Sequence, residues 1–244
     1  MTEGSEPAPW RALEVPAWCA VATVFGGVAL AWLRVLPALV AFRVFSLGAL
    51  VALVLGLVSI GLWARGRRLG PGGVAAAGIG VVLVVLAVRA AGVPVINDLT
   101  TDPADPPLFR QAASLPANAG RDLGYPPGFA ELQRACCPDL APLRLPRPPL
   151  EVVALVTEAA RAMPGWTVTA SDPAAGVVEA VAETPLFGFQ DDVVVRVRAD
   201  GPGSRVDVRS KSRAGRSDLG ANAARIRALV EALRQRSEAA GGGS

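Results

Sequence analysis

Apolar residues fall in three unbroken blocks near the start of the chain and in spaced, periodic positions towards its end. Val15–Leu33, Phe45–Ala64 and Leu69–Val88 contain no charged side chain. Each runs for about 20 residues, which at about 1.5 Å per residue crosses a hydrocarbon core about 30 Å thick. A helix lying on the core of a water-soluble domain would carry a polar stripe with a 3.6-residue period, and these blocks carry none. The pattern predicts a tail (1–14) followed by three transmembrane helices, about 15–33, 45–64 and 69–90. Arg34, Arg43, Arg65, Arg67, Arg68 and Arg89 stand outside the blocks, where a guanidinium can reach the interface. Trp10, Trp18, Trp32 and Trp63 lie near the block ends, as an aromatic belt requires.

Beyond residue 93 the pattern changes twice. Residues 94–149 hold twelve of the 21 prolines, a density that excludes long helices. They predict an extended segment with short helices near Leu108–Ser114 and Phe129–Ala135, wrapped over the C-terminal domain by Phe109, Tyr125 and Phe129. From Leu150 to Met163 the apolar positions 152, 153, 156, 159, 160 and 163 form a helical stripe that Pro164-Gly165 ends. Four strands are expected at Trp166–Ala170, Gly176–Glu183, Asp192–Arg198 and Arg205–Ser210, the last two marked by alternating valines. A helix from about Asp218 to Arg236 comes next, with Ser217 as its expected N-cap. The predicted fold is an α-helical transmembrane region plus an α+β soluble domain (150–238), an antiparallel four-stranded meander flanked by two helices on one face. A disordered tail is expected over 239–244.

Charge follows the same division. Residues 1–93 carry seven arginines against three glutamates, a balance of +4, and the remainder carries 17 basic and 18 acidic groups, a balance of −1. The pI of about 9.1 therefore belongs to the membrane half. A nucleic-acid binder concentrates its basic excess on a folded face, so no nucleic acid is expected as a partner. The chain has no histidine, which excludes Ser-His-Asp and Cys-His catalysis and imidazole zinc sites. Of the three cysteines, Cys19 lies inside an apolar block and Cys136 and Cys137 are adjacent. Neighbouring cysteines rarely bridge, because disulfides favour Cα atoms about 5.5 Å apart against 3.8 Å along the chain. A structural role is expected for all three, with no metal and no cofactor.

The first block comes after the acidic stretch Thr2-Glu3-Gly4-Ser5-Glu6, which is unlike the basic start of a signal peptide, so it reads as a retained span. Arg65-Gly66-Arg67-Arg68 is the densest basic loop, and positive loops face the cytoplasm. The expected location is the inner (plasma) membrane, with the C-terminal domain periplasmic or otherwise extracytoplasmic.

One segment stands apart. The run from Arg205 through Arg209, Lys211, Arg213, Arg216 and Ser217 to Arg227 mixes charge with small polar residues. Together with Ile96-Asn97-Asp98, Thr101-Asp102, Pro106-Pro107, Pro138-Asp139, Phe187-Gly188-Phe189 and Asp191-Asp192, it resembles the signature of the domain of unknown function family 1499, over roughly 94–236. That resemblance implies a bacterial protein with an apolar N-terminal region and carries no activity with it. Cys136-Cys137 replaces the Ala and Tyr that the resemblance would imply.

Two physical readings of this run stand. Arg205, Arg209, Lys211, Arg213 and Arg216 precede a helix start with its unpaired N–H groups, and Ser217 joins them, so the cluster can bind an anion such as a lipid headgroup, a phosphate or a carboxylate. Alternatively, Asp191, Asp192, Asp207 and Asp218 pair with these cations in an internal charge network, the reading that needs fewer assumptions. Acid–base or hard-metal chemistry at Asp191, Asp192 and Asp207 is disfavoured by so many nearby arginines. The expected function is a membrane-anchored, non-enzymatic cell-envelope domain that binds an anionic lipid or a protein partner. The alternatives are an Asp/Arg-based enzyme and a purely structural membrane component.

Overall fold

The computed structural model describes residues 9–241. Residues 1–8 of the expected tail and 242–244 at the other end lie outside the described residues. The chain divides into two compact units, residues 1–92 with 186–188 and residues 93–185 with 189–244.

The first unit is built on three helices, α1 (Pro9–Trp32), α2 (Ala38–Ala64) and α3 (Pro71–Ala90). All three are long and apolar enough to cross a membrane. Two begin earlier than the uncharged blocks do, so that Glu14 lies in α1 and Arg43 in α2. Large apolar side chains such as Leu47, Leu50, Leu57, Val81, Val82 and Leu86 point outward, a surface that lipid rather than water solvates. The inward faces are made of small residues, Ala17 and Ala20 from α1, Ala52 from α2 and Ala76 from α3. Contact is close enough that a Cβ on Gly56 would lie 2.7 Å from Ala77 Cα, the backbone approach by which small residues pack helices in lipid. The first turn of α3 receives no cap from its own flank. Instead the Glu14 carboxylate accepts the Gly72 N–H, at 3.2 and 3.0 Å to its two oxygens, placing an anion at the positive end of the helix.

The second unit contains α4 (Gln111–Ser114), a 3₁₀ turn (Pro116–Asn118), α5 (Phe129–Cys136), α6 (Pro149–Ala162) and α7 (Ala221–Gly241) around one antiparallel sheet. Its main strands are β3 (Trp166–Asp172), β4 (Val177–Glu183), β5 (Gln190–Asp200) and β6 (Gly203–Ser212), the expected meander. The sheet nevertheless has six strands, not four. The additions are β1 (Asp98–Thr100) and β2 (Leu143–Leu145), both drawn from the proline-rich segment. They lie one after the other along the outer edge of β6, β1 opposite residues 209–211 and β2 opposite 204–206. The proline-rich segment thus closes an edge that would otherwise offer unpaired amides. At the other end α7 continues to Gly241, through Ala239 and Ala240, where the tail was expected to be disordered.

The apolar core joins Val152, Val153 and Val156 of α6 and Ile226, Leu229 and Leu233 of α7 to the valines of the sheet, among them Val195 and Val208. Alternation along the strands puts these valines on one face. The turn between β3 and β4 depends on Gly176, whose φ is +67° and whose added Cβ would lie 2.3 Å from Val197 O. Asp172 Oδ1 accepts two backbone N–H groups, of Ala174 and Ala175, in the same turn.

Candidate functional site

The same alternation puts charge on the other face of the sheet. Asp192, Val194, Arg196 and Arg198 of β5 lie opposite Lys211, Arg209, Asp207 and Arg205 of β6. This face lies under the segment from β1 to about Tyr125, and its side chains sort into three clusters.

At the centre, Arg209 and Asp98 have no solvent exposure. The guanidinium meets the carboxylate bidentately, Nε to Oδ1 at 2.9 Å and Nη2 to Oδ2 at 2.7 Å. It also donates to the carbonyls of Pro107 and Leu123, and it lies 4.8 Å and 5.5 Å from the ring centroids of Phe109 and Tyr125. Lys211 Nζ reaches the same carboxylate at 2.9 Å and the Gly124 carbonyl at 3.1 Å. Burial, with the Asp98 charge adding, pushes the Tyr125 hydroxyl up to about 12.

Beside it, buried Asp207 gathers three arginines. Arg196 Nη2 stands at 3.0 Å, Arg198 Nη2 at 2.9 Å and Arg205 Nε at 2.8 Å. Arg205 also binds Asp102, and Arg198 binds Asp105 at 2.7 Å. The Arg198 hydrogen bond, with help from Arg196, holds the Asp105 carboxyl below its ordinary range.

The third cluster surrounds buried Asp192. It accepts from Arg213 Nε at 3.0 Å and Nη2 at 2.7 Å, from Arg121 at 3.3 Å and from Asn118 at 3.0 Å. Next to it on the sheet, the buried Glu179 carboxylate accepts the backbone N–H groups of Arg110, Gln111 and Ala112 at 2.7–2.9 Å. Glu179 and Asn118 belong to no motif in the sequence, although Glu179 interrupts the apolar run from Val177 to Ala182.

A further polar group lies on the helix side of the sheet. Asp191 Oδ2 pairs with Arg225 Nη2 at 2.6 Å, and Arg225 also donates to Ser210 Oγ at 2.9 Å and Asn222 Oδ1 at 2.6 Å. Burial raises the Asp191 carboxyl above its ordinary range, against the pull of Arg225 and Ser212. A raised carboxyl means that the folded protein holds this proton more tightly than the unfolded chain does. Its contribution to stability is complete below the unfolded value, about 4, and is lost as pH rises through the folded value. The penalty of Asp191→Asn should therefore be larger in acid than at neutral pH. Urea unfolding of both proteins across that range measures it, and a constant penalty contradicts it.

The start of α7 differs from expectation. Ser217 Oγ takes only the Leu219 N–H, at 3.4 Å, whereas Asp218 accepts the N–H groups of Gly220 at 2.8 Å and Asn222 at 2.9 Å. Asp218 is thus the capping side chain, because Leu219 and Gly220 both adopt positive φ and delay the helix to Ala221. The loop is tied to the segment after α3 by Asn97 Nδ2 to Gly215 O at 2.6 Å and by Asp218 N to Ile96 O at 3.1 Å.

Of the cations predicted to hold an anion, Arg205, Arg209, Lys211 and Arg213 are engaged with Asp207, Asp98 and Asp192. Arg216 is exposed and has no ion-pair partner among the described residues. Within those residues no buried side-chain nitrogen or oxygen lacks a hydrogen bond, and no three metal-ligating side chains converge. A groove of about 330 Å³ lies elsewhere, beside Asp139, Arg227, Glu231 and Arg234.

No curated protein matches the chain. Among solved structures, TTHA0849 from Thermus thermophilus is similar at 14% identity, covering 41% of this chain and 96% of that one with a TM-score of 0.27, a likeness too slight to support any argument. The family model described as "Protein of unknown function (DUF1499)" matches residues 98–233, from the first residue of β1 to the core leucine of α7. That match spans more than half of the chain and contains all three charge clusters, and the chain belongs to the domain of unknown function family 1499.

Proposed function

We propose that this is a membrane-anchored, non-enzymatic domain of a bacterial cell envelope that engages anionic lipid headgroups through the loop between β6 and α7. The observation that carries this reading is the contrast between Arg216 and its neighbours. Four cations of the run are matched to buried carboxylates, while Arg216 is exposed in a loop beside Leu219, which is 66% exposed. A cation next to an apolar side chain suits the boundary between headgroups and acyl chains. Chain length supports the same placement. Ile96 and Asn97, which hold the loop, come after the end of α3 at Ala90 by a span of no more than about 25 Å even when fully extended.

The basic loop at residues 65–68 favours the cytoplasm, so we place the C-terminal unit on the periplasmic side of the inner membrane. The enzyme alternative finds little support in carboxylates that are already bound to guanidinium groups or backbone amides.

The test uses the full chain in neutral detergent, titrated with phosphatidylglycerol or phosphatidylcholine and followed by native mass spectrometry. Preferential retention of phosphatidylglycerol is expected. Arg216→Ala should weaken that preference about fivefold, the equivalent of about 1 kcal/mol for one cation at an anionic surface. Equal retention of both lipids, or a variant indistinguishable from the parent, removes the proposal.

A further inference from the structure

The vicinal cysteines lie outside all the charge clusters. Cys136 ends α5 and Cys137 is its C-cap. The two sulfurs are 2.7 Å apart, and both thiols are free. Their orientation is fixed from behind by one residue. Cys137 N donates to Gln133 O at 2.8 Å, and Cys136 Sγ approaches the same carbonyl at 3.7 Å. Gln133 is itself buried, with its amide paired to both backbone groups of Thr100 in β1. The thiols thus sit at an anchored helix end, and both are partly exposed.

Their surroundings differ. Burial, with the neighbouring sulfur adding, pushes the Cys136 thiol up to about 12, so it is a poor attacking group. Cys137 lies beside the Arg227 guanidinium, whose proton is held more tightly through Asp139 first and through the Cys137 sulfur as well. Arg227 and Asp139 also line the 330 Å³ groove. The pair therefore has one sulfur beside a cation, with Cys137 also packed in part against the core, and a second sulfur within reach of the first. That is the division between an attacking and a resolving cysteine.

We propose that Cys136 and Cys137 are a redox-active dithiol that reacts with small disulfides and closes into a vicinal disulfide. Cys137 sulfur attacks one sulfur of the incoming disulfide, whose S–S bond breaks, and one small thiolate leaves with the Cys137 proton. Cys136 then attacks Cys137 in the mixed disulfide, passes its proton to the second departing thiolate and forms the Cys136–Cys137 bond. The protein dithiol is oxidised by two electrons, and the small disulfide is reduced to two thiols. Ring closure through a single peptide bond works against the Cα spacing that disulfides favour. The bond is then one that dithiols reopen readily, as suits a reversible switch rather than a structural bridge.

The full chain in neutral detergent tests this. After treatment with oxidised glutathione, acid quenching, unfolding and alkylation, the chain should carry one alkyl group, on Cys19, instead of the three its cysteines allow. It should retain no glutathione, and dithiothreitol should restore all three sites. Peptide mapping should find residues 136 and 137 joined. Cys136→Ser should stop at a glutathione adduct on Cys137, whereas Cys137→Ser should form none. Three alkylated cysteines in the treated parent, a lasting glutathione adduct on it, or a disulfide-linked dimer would each overturn the proposal without recourse to a variant.

Discussion

Arg209→Ala should cost the C-terminal unit about 3–5 kcal/mol of folding stability, the usual result of stripping one partner from a fully buried ion pair. Arg209 and Asp98 are both at 0% exposure, so the orphaned carboxylate cannot turn to water. Lys211 stays within 2.9 Å of Asp98 and limits the loss without replacing the bidentate contact. The carbonyls of Pro107 and Leu123 lose their donor, and the Phe109 and Tyr125 rings face a void. A fall in melting temperature of roughly 10–15 °C is expected for a unit of this size, measured by thermal denaturation in detergent. Arg209→Lys keeps the charge but not the planar fork and should fall between variant and parent. A shift of only a few degrees for Arg209→Ala would mean that this guanidinium is not what holds the wrapping segment to the sheet.

Glu179→Ala should produce the second largest loss, about 2–4 kcal/mol. The carboxylate is 1% exposed and accepts three consecutive backbone N–H groups. Removing it leaves donors without a partner, at about 1–3 kcal/mol for any that cannot reach water. The Ala112 N–H is buried, while residues 110 and 111 are exposed, which keeps the total below three full penalties. Glu179→Gln retains the shape but sets an amide N–H against a backbone N–H, and about half of the loss should result. Hydrogen exchange at residues 110–112 distinguishes the origin of the effect. These amides should lose protection in both variants while those of α6 keep theirs. Unchanged protection at 110–112 would contradict it.

The helices and long strands were legible because burial imposes a period on them. Val193, Val195 and Val197 and then Val206 and Val208 announce β5 and β6, and the stripe from Val152 to Ala160 announces α6. The short strands were not, since three residues such as Asp98-Leu99-Thr100 carry no measurable period, and what makes them strands is the edge of β6, which lies more than 100 residues from β1 and about 60 from β2. The charged run was visible, but its environment was not. Arg205, Asp207, Arg209 and Lys211 alternate with apolar or small residues, a pattern that ordinarily marks a face open to water. Here the proline-rich segment covers it and brings Asp98, Asp102 and Asp105 as partners, and no local signal assigns that pairing. Glu14 was hidden for a similar reason. It ends the polar prelude of the first apolar block, and only the fold reveals Gly72 beside it.

The position of β1 determines when the C-terminal unit can form. Its Asp98 is the sixth residue of that unit, yet the Arg209 that neutralises it comes 111 residues later. A chain emerging from the ribosome therefore makes the segment next to its anchor early and finds the matching strand only after more than 100 further residues have been made. Until then several carboxylates and arginines destined for burial must wait in water, and closure of so long a loop makes folding late and slow. The clusters around Asp98 and Asp207 therefore wait for β6, and a chain cut short before that strand cannot complete either of them.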